Sequence, residues 1–459
     1  MSALKEKLRE LPLEVRIALR KELEAIEEEA PGGVALDDAK VDELLTQLRV
    51  RNRVVVTGMG AITPLALNVE KTWAGLLEGR SGIDYLTLLD PSKYTTKFGG
   101  EVKGFDPANY MNFKKARRME RFCHFAVAAT KEALEDAQLR IEEVGPEQVG
   151  VLIGTAIGGL NATDRAVRNM LAGKRVSPFF VVTVPTNMAA FHICHLYGLK
   201  GYNGTVTTAC AAGVQALGEA TEVIRRGAAQ VMVAGGTESA TAEVGLAAFA
   251  STRGISTRND DPQAACRPFD KDRDGFVPAE GCGILILENL DHALRRGAHI
   301  YAEILGFSAT SDAYHLAAPD PEAEGAVRAI RWALRDARVK PEGIDYINAH
   351  GTSTILNDIT ETLAIKKVFG EHAYRVPISS TKSMIGHLFG AAGAVEAIVC
   401  ALTIEHGIIH PTINYDTPDP ECDLDYIPNV ARKAEVNAAL SNSFGLGGQD
   451  ACLVMGKYR

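Results

Sequence analysis

The sequence predicts an α/β protein with largely buried sheets, and three observations carry that prediction. Apolar runs at Val54–Val56, Val149–Ile153, Val231–Ala234, Ile284–Leu287 and Tyr346–Asn348 have the continuous hydrophobicity of strands covered on both faces. Helical patterns, with apolar residues three or four apart, separate these runs. At 459 residues the chain exceeds what one hydrophobic core usually serves, so two core domains are expected.

Composition narrows the class. Hydrophobic residues make up 46% and charged residues 23%, as in soluble globular proteins, so disorder is not the main state. A net charge of -9 argues against broad attraction to nucleic acid and leaves acidic partners to a local basic patch. Cys123, Cys194, Cys210, Cys266, Cys282, Cys400, Cys422 and Cys452 are scattered without C-x-x-C spacing. That pattern fits reduced thiols in a cytoplasm better than a zinc site or a disulfide framework. The chain shows neither an apolar span of bilayer length nor a signal peptide, so no membrane contact is expected.

Taken in order, residues 1–50 read as an amphipathic helical extension. Leu4, Leu8, Leu11, Val15, Leu19, Leu23 and Ile26 keep helical spacing, Pro31-Gly32-Gly33 interrupts it, and Val41, Leu44, Leu45 and Leu48 resume it. A strand running into Gly58-Met59-Gly60 follows and resembles the opening of a dinucleotide-binding fold. The third glycine of that fingerprint falls on Thr63, with Pro64 behind it, so the strand is read as structural. His192 and His195 sit in an apolar helical run without acidic neighbours and are read as packing residues rather than metal ligands.

The stretch Thr205–Gly213 places Cys210 where a β-branched run gives way to a helix over residues 211–226, with Val214, Leu217, Ala220 and Ile224 as its buried stripe. A helix N-terminus favours a thiolate, which predicts a depressed pKa for Cys210. Two later stretches, Tyr346–Thr354 and Ser379–His387, each read as a strand ending near a histidine among glycine and hydroxyl residues. A cysteine at a helix N-terminus with two histidines at strand ends, Cys210 with His350 and His387, suggests a thiol nucleophile facing a pair of imidazoles.

Several long motifs in the same order extend this reading: VTTACAAG around Cys210, VMVAGGTES at 231–239, STRNDDPQAACRPFDKDRDGFV at 256–277, NAHGTSTILND at 348–358, SSTKSMIGHLFGAAGAVEA at 379–397 and SNSFGLGG at 441–448. From about Arg53 onward the chain resembles the β-ketoacyl-acyl-carrier-protein synthases, closest to the type II elongating condensing enzymes. The resemblance implies a thiolase-like duplicated α/β/α/β/α sandwich, with halves at 51–300 and 301–459 and the site between them. It implies no cofactor and no metal requirement. The implied reaction is decarboxylative Claisen condensation of a Cys210-bound acyl chain with malonyl-acyl-carrier protein, as in fatty-acid elongation.

The family's roles transfer motif by motif. His350 and His387 would hydrogen-bond the malonyl thioester carbonyl, and Lys382 would supply positive charge. The N–H groups of Cys210 and Phe444 would form the oxyanion hole, with the Phe444 ring gating the acyl pocket. Thr352 and Thr354 would bind the phosphopantetheine arm. Lys114, Arg117, Arg118 and Arg253 would dock the acidic acyl-carrier protein. Asn348, Glu361, Glu396 and Asn442 match a polar cluster that holds a cation in some members, with a plain hydrogen-bond network as the alternative. A homodimer is implied. Departures stand at Leu446, Gln449, Asp450, Ile355 and Ala317; they bear on chain length and gating and leave every catalytic group in place. Alternative readings are a polyketide-type or specialised condensing enzyme and a non-catalytic chain-length partner, the last usually lacking the cysteine.

Overall fold

Ten strands in one hydrogen-bonded sheet carry the fold, in the order β8-β7-β9-β10-β6-β1-β5-β4-β2-β3. They are β1 (Val54–Ile62), β2 (Val149–Gly154), β3 (Asn203–Val206), β4 (Val231–Glu238), β5 (Gly281–Asn289), β6 (Ala302–Ser311), β7 (Tyr346–Asn348), β8 (Ile378–Ser379), β9 (Ala438–Gly445) and β10 (Gln449–Gly456). This computed structural model describes residues 52–240 and 242–459. The helical extension expected over residues 1–50 lies outside the described residues.

The order hides a repeat. In β1-β5-β4-β2-β3 the first two pairings are antiparallel and the last two parallel. In β6-β10-β9-β7-β8 the same sequence of pairings recurs. The two sets meet where Val55 and Val56 of β1 pair with Glu303 and Ala302 of β6. Residues 53–459 form one compact unit containing both sets.

Helices sort into three layers around the two sets. α1 (Arg121–Asp136) covers the outer face of the first set, and α3 (Glu324–Ala337) with α4 (Ile355–Phe369) lies along the second. Between the sets run α2 (Ala212–Arg225) and α5 (Ala392–His406), which touch each other and strands from both halves. This is the five-layer thiolase-like arrangement. Every residue of α5 from Ala392 to Ile404 is buried. The stretch Phe389–His406 is long and apolar enough to cross a membrane, yet it is almost wholly covered by protein, as the central layer of such a sandwich requires.

β1, β4 and β5 are buried along their whole length, which is why they read as continuous apolar runs. Gly58 and Gly60 serve packing: a Cβ on either would stand 2.4 Å and 1.9 Å from the Ala133 and Ala129 carbonyl oxygens of α1. The glycines that mimic a nucleotide fingerprint thus let a helix lie directly on the strand. His192 is buried in the helix Met188–Tyr197, and His195 stacks on Phe191 with ring centroids 5.7 Å apart.

Candidate active site

The repeat places two helix N-termini of the central layer face to face. β3 ends at Val206, a single 3-10 turn spans Ala209–Ala211, and α2 begins at Ala212, so Cys210 sits at the turn expected from its sequence. Ala209 takes φ +49°, the left-handed region that L-residues avoid, and this sharpens the corner. The second half repeats the corner: Phe389–Ala391 form the 3-10 turn before α5, and Phe389 takes φ +48°. Gly390 occupies the place that Cys210 holds in the first half. A Cβ on it would lie 2.4 Å from the Ala156 nitrogen, so no larger residue fits.

His350 stands two residues beyond β7, as its motif suggested. His387 does not stand at a strand end. The strand Ile378–Ser379 stops eight residues earlier, and a short helix (Lys382–Ile385) and Gly386 at φ +71° intervene. The backbone of His387 is fixed instead by its N–H to the Val277 carbonyl at 2.7 Å and by its carbonyl, which accepts the Ala279 N–H at 3.0 Å.

The three side chains converge. His387 Nε2 lies 3.1 Å from Cys210 Sγ. One ligating atom from each of Cys210, His350 and His387 falls within 4.8 Å of the others. The imidazole rings meet edge to face, with centroids 5.4 Å apart. Phe389 donates its backbone N–H to His387 Nδ1 at 3.2 Å, so a neutral His387 carries its proton on Nε2 and donates toward the sulfur. Burial, reinforced by the Lys382 charge, holds both histidines well below the usual imidazole range. Both rings are therefore neutral hydrogen-bond donors near neutral pH.

The expected thiolate is corrected here. Burial pushes the Cys210 thiol up to about 11, outweighing the Leu446 N–H, the Lys382 charge and the cysteine's own N–H. Desolvation at the bottom of a cavity outweighs the first turn of a helix. Besides the cysteine's own N–H, the N–H group that acts on Sγ is that of Leu446, which sequence reasoning did not single out beside Phe444. β9 ends at Gly445, so Leu446 lies past the strand, whereas Phe444 remains within it and sets its ring 5.8 Å from that of His350. The glycine run that follows was the available signal for a free N–H in a turn.

Lys382 is completely buried and donates to Glu396 Oε1 at 2.5 Å. Burial raises the Glu396 carboxyl, and Lys382 partly offsets it. Glu361 accepts the N–H groups of His350 and Gly351, both at 2.8 Å, and the Asn442 amide at 3.0 Å. Asn348 donates to the Tyr346 hydroxyl and to Thr381 Oγ1. Thus Glu361 and Asn442 brace the His350 loop, and Glu396 braces Lys382. Asn348 Oδ1 and Glu396 Oε2 are buried without a hydrogen-bond partner, and as oxygen donors they suit a hard cation. Glu238, part of the motif at 231–239 but given no role there, is fully buried and accepts the N–H groups of Ala156, Gly158 and Gly390, bracing the second corner.

A cavity of about 440 Å³ leads to this centre. Cys210, His350, His387 and Phe444 line it, as do Thr352, Thr354, Ala317 and Arg253. Thr352 Oγ1 and Thr354 Oγ1 lie 2.8 Å apart on one wall. Arg253 is exposed, as are Lys114, Arg117 and Arg118, which cluster around the turn Phe113–Ala116.

A duplicated thiolase-like fold with a cysteine and two histidines between its halves defines a class of acyl-transferring condensing enzymes. Comparison with known proteins supplies the family. Residues 51–293 match the β-ketoacyl synthase N-terminal domain and residues 301–416 the C-terminal domain. The chain belongs to the β-ketoacyl synthase family. It is 51% identical over 411 residues to the 3-oxoacyl-[acyl-carrier-protein] synthase 2 of Synechocystis sp., covering 89% of this chain and 99% of that protein. Among solved structures, the ishigamide ketosynthase/chain length factor superposes with a TM-score of 0.84 at 38% identity, over 89% of this chain and 100% of the other. AntDE, a type II polyketide ketosynthase solved in complex with its acyl-carrier protein AntF, superposes with a TM-score of 0.82 at 36% identity, over the same shares.

Proposed function

We propose that this chain catalyses chain elongation in fatty-acid synthesis by condensing a Cys210-bound acyl group with malonyl-acyl-carrier protein. The supporting observation is the 3.1 Å contact between Cys210 Sγ and a His387 Nε2 that the Phe389 N–H fixes as a donor. A ring locked in this tautomer donates toward developing negative charge and does not take the thiol proton.

In the first half-reaction Sγ attacks the acyl thioester carbonyl, the carrier's thiolate leaves, and the thiol proton passes to that thiolate. The N–H groups of Cys210 and Leu446 receive the charge that develops on the carbonyl oxygen. The malonyl thioester then enters, and its carbonyl oxygen lies against His350 and His387. Breakage of the carbon–carboxylate bond releases carbon dioxide, and the electron pair moves onto the enolate that the two imidazoles stabilise. The enolate carbon attacks the acyl-cysteine carbonyl, and the cysteine leaves as a thiolate that regains a proton from solvent. Thr352 and Thr354 hold the phosphopantetheine arm along the cavity wall, and Lys382 contributes positive charge from behind.

The carrier docks on Lys114, Arg117, Arg118 and Arg253, whose charges complement an acidic partner. A homodimer is supported by β3, which ends the sheet, and by exposed Phe179, Val181, Val182 and Phe191 nearby in sequence. A cytoplasmic location suits eight cysteines that are all unpaired. The test is to incubate purified protein with acyl- and malonyl-carrier proteins and follow product mass. A β-ketoacyl product lost in Cys210→Ala supports the reading; product formation without Cys210 overturns it. A long, unreduced product would favour the polyketide-type alternative.

A further inference from the structure

Beside the thiol–imidazole centre lies a pair of ionisable groups that the condensation steps leave unused. Asp312, just past β6, and Asp450, near the start of β10, both line the cavity that holds Cys210. Their carboxyls converge above Gly325 of α3. A Cβ at that glycine would stand 1.5 Å from Asp312 Oδ1 and 3.0 Å from Asp450 Oδ2. Asp450 is 4% exposed, and two carboxylates brought together at so dry a place do not both ionise at neutral pH. Burial, then the charge and hydrogen bond of Asp312, push Asp450 up to about 9.

Other charged groups face the pair. Arg328 from α3 favours ionisation of Asp450, and Glu361 from α4 opposes it. Arg328 spends one guanidinium N–H on the Ser311 carbonyl at 2.7 Å. Asp320, before α3, lines a small cavity with both aspartates and adds to the negative side.

Backbone contacts tie the pair to the reaction centre. The Asp312 N–H donates to the Gly448 carbonyl at 2.8 Å, and the Gly448 N–H closes the turn onto the Gly445 carbonyl at 3.0 Å. That turn carries Leu446, whose N–H is directed at Cys210 Sγ. Asp450 leaves the same turn two residues after Gly448. One side of the turn is thus held by Asp312 and the other by Asp450.

We propose that Asp312 and Asp450 share one proton and so clamp the Gly445–Gly448 turn, holding the Leu446 N–H where charge develops on the acyl carbonyl oxygen. Asp450 is then a positioning residue for acyl transfer, an inference that rests on Cys210 as the acylated group. Loss of the shared proton sets two negative charges against each other and loosens the turn. The clamp's contribution to acylation therefore declines as pH rises through about 9, the value for Asp450.

The experiment follows Cys210 acylation by acyl-carrier protein, read by intact mass, between pH 6.5 and 10.5 in the parent, Asp450→Asn and Asp450→Leu. Spontaneous thioester hydrolysis is subtracted at each pH. Ionisation of the Cys210 thiol raises every rate across this range, so the reading is the ratio of parent to Asp450→Asn, which should fall as pH rises through about 9. Asparagine donates the same hydrogen bond without a titrating proton and serves as the reference. At one pH unit above the midpoint its rate, relative to its own neutral value, should exceed the parent's by about tenfold. Leucine offers Asp312 no donor and should acylate slowly at every pH. A parent-to-Asp450→Asn ratio that stays constant across pH 9 overturns the clamp while leaving the proposed function standing, and it does so even if the leucine variant fails to fold. Absence of acylation in the parent would overturn the role of Cys210 and the clamp with it.

Discussion

Removing the His387 imidazole separates the two halves of the reaction. In His387→Ala the Nε2–H donor that lies 3.1 Å from Sγ disappears, and the Phe389 N–H loses its acceptor. Loss of one donor aimed at transition-state charge costs about 2.7–4 kcal/mol, or about a hundred- to a thousandfold in rate. The stranded Phe389 N–H, at a residue already held at φ +48°, costs a further ~1–3 kcal/mol of stability. The assay is carbon dioxide release from malonyl-acyl-carrier protein in a Cys210→Ala background, where condensation does not follow and decarboxylation is read alone. Release should fall by about two to three orders of magnitude when His387→Ala is added. The single variant should still form acyl-Cys210 by mass, because the Cys210 and Leu446 N–H groups remain. Equal carbon dioxide release with and without His387 would refute the assignment of enolate stabilisation to this ring.

Three further outcomes follow from the same geometry. Because burial and Lys382 keep His350 and His387 well below the usual imidazole range, both donors stay neutral where an ordinary histidine titrates, and decarboxylation should show no acid limb near 6.5; a fall centred there would mean that an ordinary histidine controls the step. Lys382→Met strands the buried Glu396 and should lower unfolding stability by about 3–5 kcal/mol, most of it recovered when Glu396→Gln is added; urea denaturation that gives additive losses would deny the pairing. Arg253→Glu with Arg117→Glu should raise KM for carrier-bound substrate while sparing kcat, and should flatten its dependence on salt; unchanged KM would move the docking surface elsewhere.

Much of the framework was legible because its physical cause is local. The apolar runs that became β1, β2, β4, β5 and β7 are buried on both faces, and their composition shows it. β6 and β9 escaped because they mix small and polar residues: Ser308, Ser441, Asn442 and Ser443 are buried within strands by the tertiary packing alone, whereas β10 carries the apolar run Ala451–Met455 and was simply missed. Cys210 and His350 were placed well, since a strand end and a glycine are neighbours in sequence. His387 was not, because the Val277–Ala279 segment that holds it lies more than a hundred residues away. The thiol's proton affinity was misjudged for a related reason: a helix N-terminus is visible in sequence, whereas desolvation at the base of a cavity belongs to the assembled fold.

The duplicated topology explains why the centre lies where it does. Each half ends its parallel strands in the same tight corner, at Ala209–Ala211 and at Phe389–Ala391, and the two central helices carry those corners to the space between the sheets. Identical corners would present two nucleophiles or none. In the second half the backbone of Thr155 and Ala156 comes so close to residue 390 that only glycine fits, and the corner's work passes to the residues before it, where the Phe389 N–H fixes the His387 tautomer. In the proposed reaction the halves thereby divide the chemistry: the first supplies the group that carries the acyl chain, and the second supplies neutral donors for the charge that decarboxylation creates. This division requires the thiol to remain protonated and the imidazoles uncharged until substrate arrives. A thiolate beside an imidazolium would already satisfy the donors and leave less for the enolate to gain. Burial of all three groups supplies that resting state, and it does so with the same desolvation that hid their protonation from the sequence.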